Sequence, residues 1–105
     1  SMSVLSRIET YVNDHEVVLF MKGTADFPQC GFSGKVIKIL KDLSVDFFVV
    51  NVLDDDEVRE GVKVFSNWPT IPQLYINAEL VGGCDIIVDL YESGQLQKML
   101  TTTAN

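Results

Sequence analysis

One cysteine in this chain stands where a protein thiol becomes reactive. Cys30 follows Pro28-Gln29 and opens the stretch CGFSGKVIKILKDL, whose apolar residues recur at steps of three and four. That spacing predicts an amphipathic helix with Cys30 in its first turn. The predicted inner face carries Phe32, Val36, Ile39, Leu40 and Leu43. Unpaired backbone N–H groups and the helix dipole can lower a thiol pKa from about 8.5 to roughly 3.5–7.5.

Cys30 also has a less specific interpretation, as a buried cysteine that ends a loop. Its neighbours Gln29 and Gly31 are polar and flexible, which favours an exposed, reactive thiol. Ser33 stands where a Cys-x-x-Cys redox motif has its second thiol. A hydroxyl cannot attack a mixed disulfide, so either an external thiol completes the reaction or Cys30 binds a ligand without turnover.

The sequence Cys30-Gly31-Phe32-Ser33 resembles the signature of the monothiol glutaredoxins. The resemblance covers about residues 4–100 and includes three more motifs in family order: Lys22-Gly23-Thr24, Trp68-Pro69-Thr70-Ile71-Pro72 and Gly82-Gly83-Cys84-Asp85. One departure is Ala25, where many members have proline, which puts the rigidity of this loop in doubt. The resemblance implies a thioredoxin-like fold and a cis bond between Ile71 and Pro72.

Several of these residues predict a site for an extended peptide with a carboxylate at each end. Gly82-Gly83 allows close approach to the backbone, and the N–H groups of Cys84 and Asp85 would open a helix and receive one carboxylate. Lys22 and Arg59 are the candidate cations for the other. A peptide of this kind that also carries a thiol is glutathione, which the resemblance implies as well. The predicted contact residues are Lys22, Cys30, Phe32, Arg59, Ile71, Pro72, Cys84 and Asp85.

Two main functions follow for Cys30. A 2Fe–2S cluster takes four thiolate-type ligands, and two chains with two glutathiones would supply them. This hypothesis predicts an apo monomer, a cluster-bound homodimer and recipient proteins in cluster assembly, and the resemblance points the same way. The alternative is a glutathione-dependent reductase of mixed disulfides with Cys30 as nucleophile. A third hypothesis is a reversible Cys30–Cys84 disulfide, although Cys84 has a simpler interpretation as a packed side chain.

Length and charge limit the other possibilities. The 105 residues predict one domain over 1–105, with a core at about 4–100. A net charge of −7 argues against nucleic acid, and no apolar run predicts a membrane helix. Nothing after Ser1-Met2 reads as a leader. We expect a reducing compartment, cytoplasmic in a bacterium or the mitochondrial matrix elsewhere. His15 is predicted to be a solvated turn residue, and the acidic run at 54–57 a helix start without metal.

The elements that must position these residues alternate between helical and strand patterns. Helices are predicted at 3–13, from the acidic run to about 65, at 85–92 and at 95–100, besides the cysteine helix. Strands are predicted at 17–21, 46–52, 73–76 and 79–81, followed by a frayed tail from Thr101. The first two strands flank the cysteine helix and should be parallel. The predicted fold class is α/β, thioredoxin-like, with a four-stranded mixed sheet and helices on both faces.

Overall fold

The computed structural model describes residues 3–101, in which helices and strands alternate much as predicted. In chain order they are α1 (Val4–Asp14), β1 (Val17–Met21), α2 (Gly31–Asp42), β2 (Phe48–Asn51), a short 3₁₀ turn (Val52–Asp54), α3 (Asp56–Ser66), β3 (Gln73–Ile76), β4 (Glu79–Gly82), α4 (Cys84–Glu92) and α5 (Gln95–Thr101). The expected tail falls outside the described residues from position 102 onward.

The four strands form one mixed sheet in the order β2-β1-β3-β4. β1 pairs in parallel with β2 and antiparallel with β3, which pairs antiparallel with β4. The strand–helix–strand crossover is therefore parallel as predicted. The last two strands form a hairpin through Asn77 and Ala78, which have φ of 52° and 67°. Positive φ at both loop residues is typical of the tight turn whose twist matches its strands.

The central strand β1 carries helices on both of its faces. Val17, Leu19 and Met21 pack in a core with residues of α2, α4 and α5. Val18 and Phe20 pack in a second core with residues of α1 and α3. Because successive strand residues point to opposite faces, a strand covered on both sides must be apolar throughout. This explains the uninterrupted apolar run and confirms the predicted fold class.

Three details of the predicted elements are wrong. Phe32 is 62% exposed rather than part of the inner face of α2, because the first turn of that helix lies beside a cavity and not over the sheet. Apolar spacing also predicts Leu5 on the inner face of α1, but Leu5 is exposed, since Val4, Ile8 and Val12 form the inner stripe. The second strand begins only at Phe48, and Val52 belongs to the 3₁₀ turn that follows it.

The prediction that His15 is a solvated turn residue is only partly correct. His15 caps the C-terminal end of α1 and is half-buried, with its ring stacked on Phe48 at 3.8 Å between centroids and 6° between planes. This contact joins the end of α1 to the edge strand of the sheet. Within residues 3–101, no helix has both the length and the apolar character needed to cross a membrane.

Candidate functional site

Cys30 stands one residue before the first turn of α2, as its N-cap. Its backbone is extended (φ −151°, ψ 137°), and no side-chain hydrogen bond caps the helix. The pKa of the Cys30 thiol lies below its ordinary value, chiefly because the backbone N–H of Ser33 stabilises the thiolate. Partial burial opposes this effect, while the N–H of Phe32 and the charge of Lys22 add to it. The pKa of Cys30 is therefore shifted in the predicted direction, towards the thiolate.

Ser33 has a structural role that its place in the motif does not reveal. Its side chain is fully buried, and its hydroxyl oxygen accepts a hydrogen bond of 3.1 Å from the backbone N–H of Lys22. This bond joins the first turn of α2 to the end of β1. The hydroxyl that replaces a second thiol therefore positions the loop that leads to Cys30.

The loop at 22–29 is held by backbone bonds of its own. The N–H of Gln29 donates to the carbonyl of Lys22 at 2.9 Å, and the N–H of Thr24 donates to that of Phe27 at 3.2 Å. Gly23 has φ of +95°, and a Cβ there would lie 2.5 Å from the Phe27 carbonyl oxygen. Only glycine fits so close an approach. Although Ala25 lacks the ring of proline, these two bonds and a third from the Phe27 N–H to the Thr24 hydroxyl (3.2 Å) hold the loop around it.

A cavity of about 490 Å³ opens beside Cys30. Such a volume is within the usual range for small-molecule sites. It is lined by Lys22, Cys30, Phe32, Arg59, Lys63, Trp68, Pro69, Thr70, Ile71, Pro72, Gly83, Cys84, Asp85 and Ile86. All eight residues predicted from the sequence are among them, so the fold brings together residues that lie up to 63 positions apart (85 − 22).

The cations of this cavity differ in their partners. Lys63 pairs with Glu60 at 3.2 Å, whereas neither Lys22 nor Arg59 makes an ion pair within the described chain. The two unpaired cations face the same space as the Cys30 sulfur. They leave positive charge available there for an anionic group.

Hydrogen bonds from buried polar side chains hold the turn at 68–72 in place. The Ile71–Pro72 bond is cis, as expected, and none of the loop and cap hydrogen bonds of residues 3–101 uses the N–H or carbonyl of Ile71. Gln73 is fully buried, and its amide nitrogen donates to the carbonyls of Trp68 (3.0 Å) and Thr70 (3.1 Å). The hydroxyl of Tyr75 donates to its amide oxygen at 3.1 Å.

The glycine pair packs closely against its neighbours. At Gly83 a Cβ would lie 3.2 Å from the indole nitrogen of Trp68, and at Gly82, whose φ is +146°, it would lie 2.9 Å from Ile86. Gly83 also lines the cavity, where ligand access to its backbone stays a prediction. The buried Nε1–H of Trp68 has no hydrogen-bond partner in the part of the chain described.

Cys84 begins α4 on the far side of the cavity. Gly83 is the N-cap without a side-chain cap, and the first cap bond runs from Ile87 N–H to the Gly83 carbonyl. The N–H groups of Cys84 and Asp85 are therefore free of that ladder, as at any helix start. Burial raises the pKa of the Cys84 thiol, opposite in direction to Cys30, and both cysteines are free.

Six lining residues are not among the eight contact residues predicted from the sequence: Lys63, Trp68, Pro69, Thr70, Gly83 and Ile86. Lys63 lies one turn after Arg59 on α3, Trp68 packs against Gly83, and Ile86 packs against Gly82. The spacing from Arg59 to Lys63 was a usable signal, because residues four apart share a helix face. No comparable signal indicates which residues pack against the glycine pair.

Comparison with known proteins agrees with this fold and site. The glutaredoxin family profile matches residues 17–81. The chain is 57% identical over 96 residues to a probable monothiol glutaredoxin 2 of Rickettsia typhi, covering 91% of this chain and 86% of that one. The chain therefore belongs to the glutaredoxin family, and its relatives place it among the monothiol glutaredoxins.

Solved structures support the same assignment. The solution structure of reduced poplar apo GrxS14 is 52% identical to this chain, with a TM-score of 0.81 over 92% of this chain and 89% of that one. A crystal structure of a buckwheat glutaredoxin–glutathione complex has a TM-score of 0.85 at 23% identity, over 95% and 89% of the two chains. At that identity the second comparison shows the fold alone.

Proposed function

We propose that the cavity beside Cys30 binds glutathione. The tripeptide has a thiol, an extended backbone and two carboxylates, and the cavity offers a matching group for each. Cys30 faces the thiol, the free N–H and carbonyl of Ile71 pair with the backbone, and Lys22 with Arg59 receives one carboxylate. The N-terminus of α4 receives the other. The buckwheat glutaredoxin, which shares this fold, forms a complex with glutathione in its own crystal structure.

With glutathione in place, Cys30 becomes one of a pair of thiolates that can hold a 2Fe–2S cluster. No group of three or more His, Cys, Asp or Glu side chains within residues 3–101 has the arrangement of a metal site. Four ligands therefore require a second chain with its own glutathione. The thiolate-favouring position of Cys30 fits this donor set, because metals bind the deprotonated form.

The proposed function is therefore iron–sulfur cluster assembly and transfer by a homodimer that is bridged by its cargo. The observation that carries it is that Cys30, with its lowered pKa, faces a glutathione-sized cavity while Ser33 is buried and hydrogen-bonded to Lys22. The motif thus offers one thiolate and no resolving group. The cluster is the cargo that the homodimer passes to a recipient protein. We expect this transfer in a reducing compartment, which is the cytoplasm in a bacterium or the mitochondrial matrix elsewhere.

A second function uses the same thiolate. Cys30 attacks the glutathione sulfur of a protein–glutathione mixed disulfide, which releases the protein thiolate and leaves glutathione bonded to Cys30. A second glutathione thiolate then attacks this bond, frees Cys30 and leaves as glutathione disulfide. The lowered pKa of Cys30 favours this reaction, and Ser33 cannot replace the second glutathione.

Anaerobic reconstitution with iron and sulfide, with and without glutathione, separates the two functions. We expect visible cluster absorbance that needs glutathione, is lost in Cys30→Ser and is mostly kept in Cys84→Ser. Equal loss in both variants would mean that each chain supplies two cysteines. A colourless wild-type protein that rapidly turns over a glutathione mixed disulfide would instead establish the reductase.

A further inference from the structure

The exposed face of α2 is basic, whereas the molecule as a whole is acidic. The chain has 15 acidic and 8 basic side chains, yet three of the eight lie on this helix at steps of three: Lys35, Lys38 and Lys41. We call these three residues the lysine ridge. The one acidic residue of α2 is Asp42 at its last position, which accepts a hydrogen bond from the hydroxyl of Tyr91.

The charges of the lysine ridge are largely unneutralised. Within the described residues, Lys35 and Lys38 make no ion pair. Lys41 approaches Asp26 at 3.9 Å, between two well-exposed side chains, which is a weak contact. Burial raises the pKa of Cys84 at the start of α4, and the positive charge of Lys35 partly opposes that rise.

A groove runs along the ridge and begins at Gly31, the residue after Cys30. It has a volume of about 510 Å³, and the lysine ridge forms its edge together with Ala25, Pro28, Gly31, Gly34 and Ile37. The floor is small or apolar, with nothing within 4 Å of a Cβ placed on Gly31. From Gly31 to Lys41 the helix rises roughly 15 Å, enough for four or five residues of extended chain.

Two exposed aromatic rings lie close to the cysteine in sequence. Phe27 is 74% exposed and Phe32 is 62% exposed, and each is within three residues of Cys30. Exposed aromatic side chains are typical anchors of protein–protein contacts. Phe32 lines the cavity beside Cys30, while the groove has cations along its edge. Exposed rings on both sides of Cys30 together with this groove suit contact with a protein segment better than contact with solvent alone.

We propose that this groove docks an acidic segment of the partner protein whose thiol or disulfide meets Cys30. Carboxylates of the segment lie along the lysine ridge, and the aromatic rings contact its apolar residues. The local positive charge of the lysine ridge would thus attract acidic partners, although the net charge of −7 repels them from the chain as a whole. This inference needs a reactive Cys30 but no bound cluster, so its failure is distinct from failure of the cluster function.

The test uses three peptides of equal length with a central cysteine bonded to thionitrobenzoate and flanked by four glutamates, four glutamines or four lysines. The Cys30 thiolate attacks the peptide sulfur, forms a peptide disulfide and releases the coloured thionitrobenzoate anion. Every protein carries Cys84→Ser so that one thiol reacts. At low ionic strength we expect the glutamate peptide to react about tenfold faster than the glutamine peptide, an advantage that salt removes.

Lys38→Gln and Lys98→Gln form the matched pair, since each removes one exposed lysine, from α2 and from α5. We expect Lys38→Gln to reduce the preference severalfold with the glutamine-peptide rate unchanged, and Lys98→Gln to preserve it. The double change Lys35→Gln/Lys38→Gln should abolish it. A lysine or glutamine peptide that reacts fastest with the parent, or an equal effect of Lys98→Gln, overturns the proposal. Apo self-association that Lys38→Gln abolishes also overturns it, by assigning the ridge to a second copy.

Discussion

Two thiols line one cavity and differ in how the protein treats their charge. The backbone N–H of Ser33 lowers the pKa of Cys30, whereas burial raises that of Cys84. The first thiol sits before a helix with free N–H groups, and the second inside the first turn of α4 against the core. Position at a helix start alone therefore does not decide reactivity, because burial can outweigh it.

The first prediction concerns the pH dependence of alkylation by iodoacetamide. In the Cys84→Ser variant, the rate should reach half its maximum below pH about 8.5, the usual thiol value, and in Cys30→Ser above it. The depressed pKa also means that Cys30 contributes stability above its unfolded pKa, which is lost as pH falls through its folded pKa. The reverse order of the two alkylation midpoints would contradict the assignment of Cys30 as the reactive thiol.

The second prediction concerns the unpaired cations of the cavity. Lys22→Ala should weaken glutathione binding, because a hydrogen bond to a charged group contributes about 1.5–3 kcal/mol, or roughly ten- to a hundredfold in affinity. Arg59→Ala should have a similar effect. Titration calorimetry measures both, with Lys98→Ala on the exposed side of α5 as the charge-matched control. Unchanged affinity in both cavity variants would remove the assigned carboxylate contacts.

At the scale of elements, the loops around the site are positioned by buried polar side chains. Ser33 joins α2 to the end of β1, and Asn51 accepts the N–H of Gly23 at 2.9 Å from the end of β2. Gln73 secures the turn before β3 through two carbonyls. Loops held in this way keep their shape without a ligand, which lowers the ordering cost of binding.

The third prediction tests the Gln73 network. Gln73→Leu leaves the carbonyls of Trp68 and Thr70 and the hydroxyl of Tyr75 without their buried partner, which should cost about 1–3 kcal/mol of stability. Glutathione affinity should fall as well, since the turn carrying Ile71 loses its anchor. Denaturant unfolding and calorimetry measure the two effects. Gln97→Leu, at an exposed position of α5, should change the unfolding free energy by less than about 0.5 kcal/mol.

Normal glutathione affinity in a destabilised Gln73→Leu protein would show that the network supports only the fold. Gln73→Met separates this further, because it is close in size to glutamine but lacks the amide donor. The affinity of the two variants should fall alike if the lost hydrogen bonds, and not the changed shape of the side chain, are responsible.

For the whole molecule, the proposed cluster function makes assembly depend on net charge and on ligand supply. The net charge of −7 opposes association of two copies, and a bridging cluster would supply attraction that the apo surface lacks. Cys30 lines the cavity, and the groove beside the lysine ridge begins at the next residue, Gly31. A second copy and an acidic partner would therefore compete for the surroundings of Cys30.

The fourth prediction is that assembly follows cluster loading. Light scattering on anaerobic samples should show an apo monomer and, after reconstitution with iron, sulfide and glutathione, a dimer. Lys22→Ala should weaken this dimer without removing an iron ligand, because the bound glutathione is held less tightly. A loaded protein that stays monomeric, or that dimerises equally well without glutathione, would contradict the bridged cluster and favour the reductase.

The sequence alone was enough to predict the elements and eight of the residues that line the cavity. Apolar spacing located β1 and α2, the four motifs contain seven of the eight residues, and Arg59 was predicted separately as a candidate cation. The acidic run at 54–57 was correctly placed at a helix start, where Asp55 caps α3. These features are local, since spacing, capping and turn chemistry are set by neighbours in the chain.

Only the tertiary structure decided which side chains are covered and what they bind. Phe32 has the spacing of a core residue but faces the cavity, and Ser33 and Gln73 are polar yet fully buried. His15 is polar and adjoins a turn, yet stacks on Phe48 from another element. Periodicity reports the face of a helix or strand, but not the partner across it. Ser33 bonds to Lys22, 11 positions away, and His15 stacks on Phe48, 33 positions away. Only folding brings such partners together.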